Sequence, residues 1–227
     1  MTILALGAHP DDIEIFMFGT LAAFKAMGQK LVFGIATDGA RGGTADGLAQ
    51  TRAREAQAAA GLLGADLRFL GFADGALMPD AALVESLRGL IEQTRPDLIL
   101  THAPNDYHGD HRALSQAASL ASSFKVPLAF VDTLYGTGFT PTHYVEITGH
   151  MALKEQAILC HESQDPGRFI EMARLQNRSR SAQCYRPDGY AEALRFEPRA
   201  PFADIRGLLP PAPSVNAVWD RSRGKKA

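Results

Sequence analysis

Gly7-Ala8-His9-Pro10-Asp11-Asp12-Ile13-Glu14 follows a short apolar run, Ile3 to Ala8, and leads into a helical pattern that runs from Ile13 to Met27 and stops near Gly28. Strand, acidic turn and helix in that order open a βα unit. A second turn of the same chemistry, His108-Gly109-Asp110-His111, follows the apolar stretch Asp97 to Thr101 and precedes a helix predicted from His111 to Ser122. Histidines and carboxylates at strand ends can meet in one crevice, whereas the same residues scattered over helix surfaces would be solvent-facing charge. The spacing therefore predicts one divided site rather than two unrelated turns.

Outward from these turns the rhythm repeats. Lys30 to Thr37 reads as strand, Gln50 to Leu63 as an alanine-rich helix stopped by Gly64, and Leu67 to Phe72 as strand; Ala82 to Thr94 reads as a helix closed by Pro96, and Leu128 to Val131 as a fifth strand. Five βα-type units predict an α/β fold of Rossmann-like, three-layer form, with a mostly parallel sheet in the order 3-2-1-4-5. In that order strands 1 and 4 are neighbours at the topological switch point, and ligands bind beyond their carboxyl ends. Both acidic turns fall there. After Pro141 a strand near His143 to Ile147 and helices near Ala152 to His161 and Phe169 to Ala182 are expected as a C-terminal extension of the same domain, residues 1–196. Residues 197–227 are expected to form a tail, mobile or partner-bound, with five prolines between Pro198 and Pro213 and a basic stretch from Arg221 to Lys226.

Composition narrows the function. With 227 residues and 46% hydrophobic content the chain can bury a core without disulfides or structural metals. A formal charge of -2 and a pI near 6.4 exclude the broad positive field of a nucleic-acid binder and favour a small-molecule partner. Cys160 and Cys184 have no metal-finger or disulfide spacing. No run approaches the ~20 apolar residues that cross a bilayer, and Met1 to Leu6 lacks the basic segment of a signal peptide, so a cytoplasmic protein without membrane partners is expected.

His9 and Asp12 lie three apart around Pro10, so an imidazole nitrogen and a carboxylate oxygen can grip one ion, with His111 closing the set. Three mixed N/O ligands with an open fourth position describe a catalytic zinc site, Fe2+ being the alternative metal. Asp11 is then left as a candidate base. The plainer reading makes Asp11, Asp12 and Asp110 helix caps and the histidines ordinary turn residues.

AHPDDIE followed by HGDH resembles the signature of the LmbE-like, or PIG-L, family of metal-dependent N-deacetylases. The likeness extends through Thr37-Asp38-Gly39, Arg52 with Glu55, Asp74-Gly75, Arg95-Pro96-Asp97, His161-Glu162-Ser163-Gln164 and Tyr190-Ala191-Glu192. It implies a Rossmann-like fold, zinc on His9, Asp12 and His111, Asp11 as general base, and His108 as electrophile or acid, oriented and charge-stabilised by Asp110. It further implies polar substrate contacts from Arg52 and Asp74, with Arg41 in the glycine-rich loop a further candidate. The expected substrate is an N-acetylated sugar, most commonly an N-acetylglucosamine-type conjugate, and the expected assembly a homo-oligomer. Ala40, Phe18 beside Gly19, and Gly109 depart from the family pattern without removing a ligand.

The other histidines, His102, His143, His150 and His161, are expected to be packing or surface residues, with His102 a candidate supporting group and His161 within a matched segment. A dinucleotide-binding oxidoreductase fits poorly, because the first βα turn lacks GxGxxG and presents two carboxylates where a pyrophosphate would lie. Walker-loop and nucleophile-elbow motifs are missing as well. An amidase on a larger conjugate and a metal-bearing binding module remain as alternatives, the latter disfavoured by the joint presence of Asp11 and His108.

Overall fold

The computed structural model describes residues 1–215 and 217–218. Seven strands form one sheet in the order β3-β2-β1-β4-β5-β7-β6, so the expected 3-2-1-4-5 order is present and is continued by two more strands. β1 (Thr2–Gly7), β2 (Lys30–Thr37), β3 (Asp66–Phe72), β4 (Leu98–Thr101) and β5 (Leu128–Val131) run parallel. β6 (His143–Glu146) and β7 (Ala191–Arg195) close the sheet antiparallel.

The two faces follow from the period of two. In β1, Ile3 and Ala5 enter one core with the helices α1 (Asp12–Phe16), α2 (Phe18–Ala26), α3 (Leu48–Gly61), α6 (Met151–Leu159) and α7 (Pro166–Gln183). Leu4, Leu6 and Ala8 enter the other core with α4 (Ala81–Thr94) and α5 (Gly109–Ser122). Because both faces are covered, these strands read as near-continuous apolar runs. Gly28 and Gly64, at φ +77° and +59°, end α2 and α3 as the sequence predicts.

Two features differ from the sequence reading. The helix predicted from Ile13 to Met27 is broken at Met17 (φ -143°), which separates α1 from α2. β7 was not anticipated, since Ala191-Glu192-Ala193-Leu194-Arg195 is made of strong helix formers. One buried carboxylate joins the two differences. Glu192, 1% exposed in the middle of β7, accepts hydrogen bonds from Gly19 N (3.0 Å) and Thr20 N (2.7 Å), the free donors at the start of α2, and pairs with the fully buried Lys154 Nζ at 2.5 Å. The break exposes those N–H groups, and the strand supplies their acceptor. A Cβ at Gly19 would stand 2.7 Å from Ile147 and 3.0 Å from Glu192 Oε1, so only glycine fits between them.

The proline-rich segment also differs from expectation. Ile205 is buried, Leu208 and Leu209 pack on the core, and Pro211 O accepts from Glu146 N at 2.9 Å, covering the outer edge of β6. The basic stretch Arg221 to Lys226 lies outside the described residues.

Removing one member of the Lys154–Glu192 pair leaves a buried charge uncompensated. Glu192→Ala is expected to cost about 3–5 kcal/mol, read as a lowered urea midpoint. The double variant Lys154→Met/Glu192→Gln, which removes both charges and keeps an acceptor for α2, should cost less than either single change. Equal or greater loss in the double variant would refute this account.

Candidate active site

The turn after β1 is fixed from several sides. Ala8 O accepts from Thr37 N (2.9 Å) and Thr37 Oγ1 (2.8 Å), Ala8 N donates to His102 Nε2 (3.1 Å), and His9 N donates to Asp12 Oδ2 (2.7 Å). Arg52, buried on α3, reaches across with Nη2 to Pro10 O (2.6 Å) and Asp11 Oδ1 (3.1 Å) and with Nη1 to Gly39 O (2.9 Å). Asp11 is thereby held at φ 131°, a conformation that side-chain-bearing residues rarely adopt. Neither Asp11 nor Asp12 spends its side chain on capping α1: Asp11 occupies the cap position without a side-chain cap bond, and Asp12 turns into the site.

Asp12 is the meeting point. Its Oδ1 stands 3.2 Å from His111 Nε2, and its Oδ2 stands 3.1 Å from His102 Nε2 and 3.4 Å from His9 Nδ1. His9 and His111, a hundred residues apart in the chain, have ring centroids 5.3 Å apart. His9, His108 and His111 offer ligand atoms within 4.8 Å of one another, as do Asp12, His102 and His111, and His9, Asp74 and Asp110.

His108 takes the cap position of α5. Its Nδ1 accepts from Asp110 N at 3.2 Å, which places the ring proton on Nε2. Burial, then the charges of His111 and His9, push its pKa down, so the ring is neutral and acts as an Nε2–H donor. Asp110 meets His108 through its backbone N–H, while its carboxylate accepts from Gly75 N (2.7 Å) and Leu77 N (3.2 Å), stands 3.1 Å from His9 Nε2 and, by its charge, opposes the downward shift of His108.

Asp74, on the loop after β3, places Oδ1 3.2 Å from His9 Nε2 and accepts from Arg41 N at 2.9 Å. Asp11, Asp12, Asp74, Arg41 and Arg52 all line one cleft of about 380 Å³ together with His9, His108 and His111. Its outer wall comes from Tyr107, Leu134, Gln164, Arg168 and Phe169. Sequence reasoning passed over Asp106 and undervalued His102. Asp106 Oδ1 is 3.2 Å from His111 Nδ1; His102 is fully buried and stacks on His111 at 3.7 Å and 12°. His161, buried against Glu14 (Nε2 to Oε2 3.3 Å), braces the base of α1 rather than facing the cleft.

The electrostatics follow from the crowding. Asp11, Asp12, Asp74, Asp106 and Asp110 are all buried here. Burial raises the Asp11 carboxyl to about 7, with Arg52 opposing the shift. Burial works against charge on the imidazoles too, yet Asp12 and its neighbours push His9 up to about 9 and His111 up to about 10. His102, burial outweighing its contact with Asp12, is shifted down. The site attracts positive charge at the point where these side chains converge.

Comparison with known proteins gives a consistent picture. The family model described as PIG-L, GlcNAc-PI de-N-acetylase, matches residues 4–122. The diacetylchitobiose deacetylase of Thermococcus kodakarensis is 30% identical over 234 positions, covering 89% of this chain and 87% of the relative. The crystal structure of the N,N'-diacetylchitobiose deacetylase of Pyrococcus horikoshii superposes with a TM-score of 0.77 at 25% identity, over 92% of this chain and 88% of that one. GalB of Pseudomonas putida, a 4-carboxy-2-hydroxymuconate hydratase, superposes with the same TM-score of 0.77 at 22% identity, over 88% and 97% of the two chains, a likeness of fold alone. With a family model spanning more than half of its length and a relative aligned along most of it, the chain belongs to the PIG-L, or LmbE-like, family and is a deacetylase, a hydrolase of amide C–N bonds.

Proposed function

We propose that the chain removes the acetyl group from an N-acetylglucosamine-type conjugate, releasing acetate and a free amine, with a divalent cation on His9, Asp12 and His111. Zinc is the first choice and Fe2+ the alternative. The observation that carries this reading is the Asp12 carboxylate set among His9, His102 and His111, with Asp11 beside it lining the same cleft. The donor set suits such an ion by its chemistry, two imidazoles and a carboxylate. Asp12 Oδ1 stands 3.2 Å from His111 Nε2 and Asp12 Oδ2 stands 3.4 Å from His9 Nδ1, near the separation of about 3.3 Å between two ligands held at 2.0–2.1 Å on a tetrahedral centre. The substrate class is carried over from the diacetylchitobiose deacetylases among the relatives.

When bound, the cation supplies Lewis acidity, acidifying water and polarising the amide carbonyl. The chain's own residues do the rest. Asp11 takes the proton of the attacking water, a task suited to a carboxyl raised to about 7 by burial, and Arg52 fixes the orientation of its Oδ1. His108 donates its Nε2–H to the oxygen on which negative charge develops, a donor held in place by its Nδ1 bond to Asp110 N. As the C–N bond breaks, protonated Asp11 returns its proton to the departing nitrogen, since His108 is biased toward neutrality and serves as a hydrogen-bond donor. Arg41 and Asp74, which line the cleft, contact the sugar hydroxyls or their substituent.

Amine release from a panel of N-acetylated sugars, followed with fluorescamine, should require metal: lost with chelator, restored by zinc. His9→Ala should abolish stoichiometric metal. Retained metal in that variant would remove His9 from the ligand set, and zinc binding without amine release across the panel would favour a binding module.

Asp11→Asn should keep its metal and lose roughly 10²–10⁴-fold in kcat, the range of a general base. Near-normal turnover in the metal-loaded variant would take Asp11 out of that role.

A further inference from the structure

Asp106 lies on the loop between β4 and α5, five residues before His111 and outside the HGDH motif. It is 2% exposed. Its Oδ1 accepts from His108 N at 3.0 Å and lies 3.2 Å from His111 Nδ1, within ion-pair reach but off hydrogen-bond alignment, so one carboxylate oxygen lies against both histidines of the second turn. The loop carrying it is clamped: Asp106 N donates to Ala103 O at 3.1 Å, and Arg112 Nη1 donates to Asp106 O and Tyr107 O, each at 2.8 Å.

A second observation points the same way. Asp106 Oδ2 is buried with no hydrogen-bond partner among the described residues. An unsatisfied buried carboxylate oxygen is costly, and a small apolar residue would close the loop without that cost. The charge is retained for what Oδ1 does.

What Oδ1 can do is set by chemistry. An ionised carboxylate only accepts, so Asp106 favours a proton on His111 Nδ1, and Nε2 is then the nitrogen that gives up its own proton and offers a lone pair when a cation binds. Nε2 is the atom that stands 3.2 Å from Asp12 Oδ1. His102 stacks on one face of His111 and fixes the ring plane, which leaves the identity of the protonated nitrogen as the remaining freedom.

We infer that Asp106 is a positioning residue that holds the Nδ1 proton of His111 and so presents Nε2, as an electron-pair donor, to the ion shared with Asp12 and His9. This rests on the ligand set given under the proposed function. The acceptor makes the ring a stronger ligand and removes the entropy of choosing a tautomer or a flipped ring.

The test is zinc affinity by chelator competition, together with long-range 1H–15N spectra of the zinc-loaded protein. Asp106→Ala should bind zinc about 10–100-fold more weakly than the wild type. Asp106→Asn should lose less than about tenfold, short of that range, because its amide oxygen can still accept from both His108 N and His111 Nδ1. In the wild type the His111 proton should be found on Nδ1. Affinity in Asp106→Ala equal to that of the wild type overturns the inference. Should that variant fail to fold, a wild-type spectrum with His111 protonated on Nε2 overturns it equally. Failure of the wild type itself to bind zinc stoichiometrically would instead sink the ligand set on which the inference rests.

Discussion

One carboxylate organises this molecule. Asp12 can stand among three imidazoles only because β1 lies between β2 and β4, so that the loop leaving β1 and the loop leaving β4 open on the same side of the sheet. Register does the remaining alignment, since Ala5 pairs with Leu100 and brings Ala8 within one residue of His102, where the amide of one meets the ring of the other. The strain at Asp11 is a consequence. A side-chain-bearing residue at φ 131° costs about 1–3 kcal/mol, and the turn tolerates it because Arg52 and the backbone bonds of Ala8 and His9 leave it no alternative.

The same crowding explains the unusual titration of the site. Five buried carboxylates face one buried arginine, Arg52, and a group of imidazoles. In a medium of low dielectric such an arrangement must recruit positive charge, either as protons on His9 and His111 or as a bound cation. Burial and like charge then separate the roles of chemically similar residues. Asp12 is held well below the ordinary carboxylate range although burial alone would raise it, because His111 and His102 lie against it; Asp11, its neighbour, is raised by burial, Arg52 opposing the shift and the charge of Asp12 adding to it. Adjacent aspartates thus become a permanent anion and a group able to exchange a proton.

The sheet, its strand order and the convergence of His9, Asp12 and His111 could be read from the chain because each rests on a strong local pattern: apolar runs, glycine stops and a turn of reactive residues at a strand end. Other features rest on contacts between distant segments. A lone histidine at the end of β4 carries no pattern, and His102 acquires its place only through β1–β4 pairing. β7 hides because its buried charge, Glu192, is satisfied by Lys154 and by the start of α2, far away in sequence. The break at Met17 is invisible for the same reason.

Most of the cleft's outer wall comes from a different part of the chain than the centre around Asp12. The residues proposed for the reaction, Asp11, Asp12, His9, His102, Asp106, His108 and His111, lie within residues 4–122, the stretch matched by the family model, as do the proposed substrate contacts Arg41 and Asp74 and the wall residue Tyr107. Leu134, Gln164, Arg168 and Phe169 lie beyond that stretch, on the turn after β5 and around the start of α7. These residues are set on a separate scaffold. Arg180 pairs with Asp132 at 2.6 and 3.0 Å, and Gln176 bonds Tyr135 N and Thr133 O, fixing the turn that carries Leu134. Ser163 binds Glu55 of α3, tying the segment before α7 to the βα units. A fold built this way can keep one hydrolytic centre unchanged while its C-terminal extension reshapes the entrance, since changes at the wall leave the bonds around Asp12 untouched.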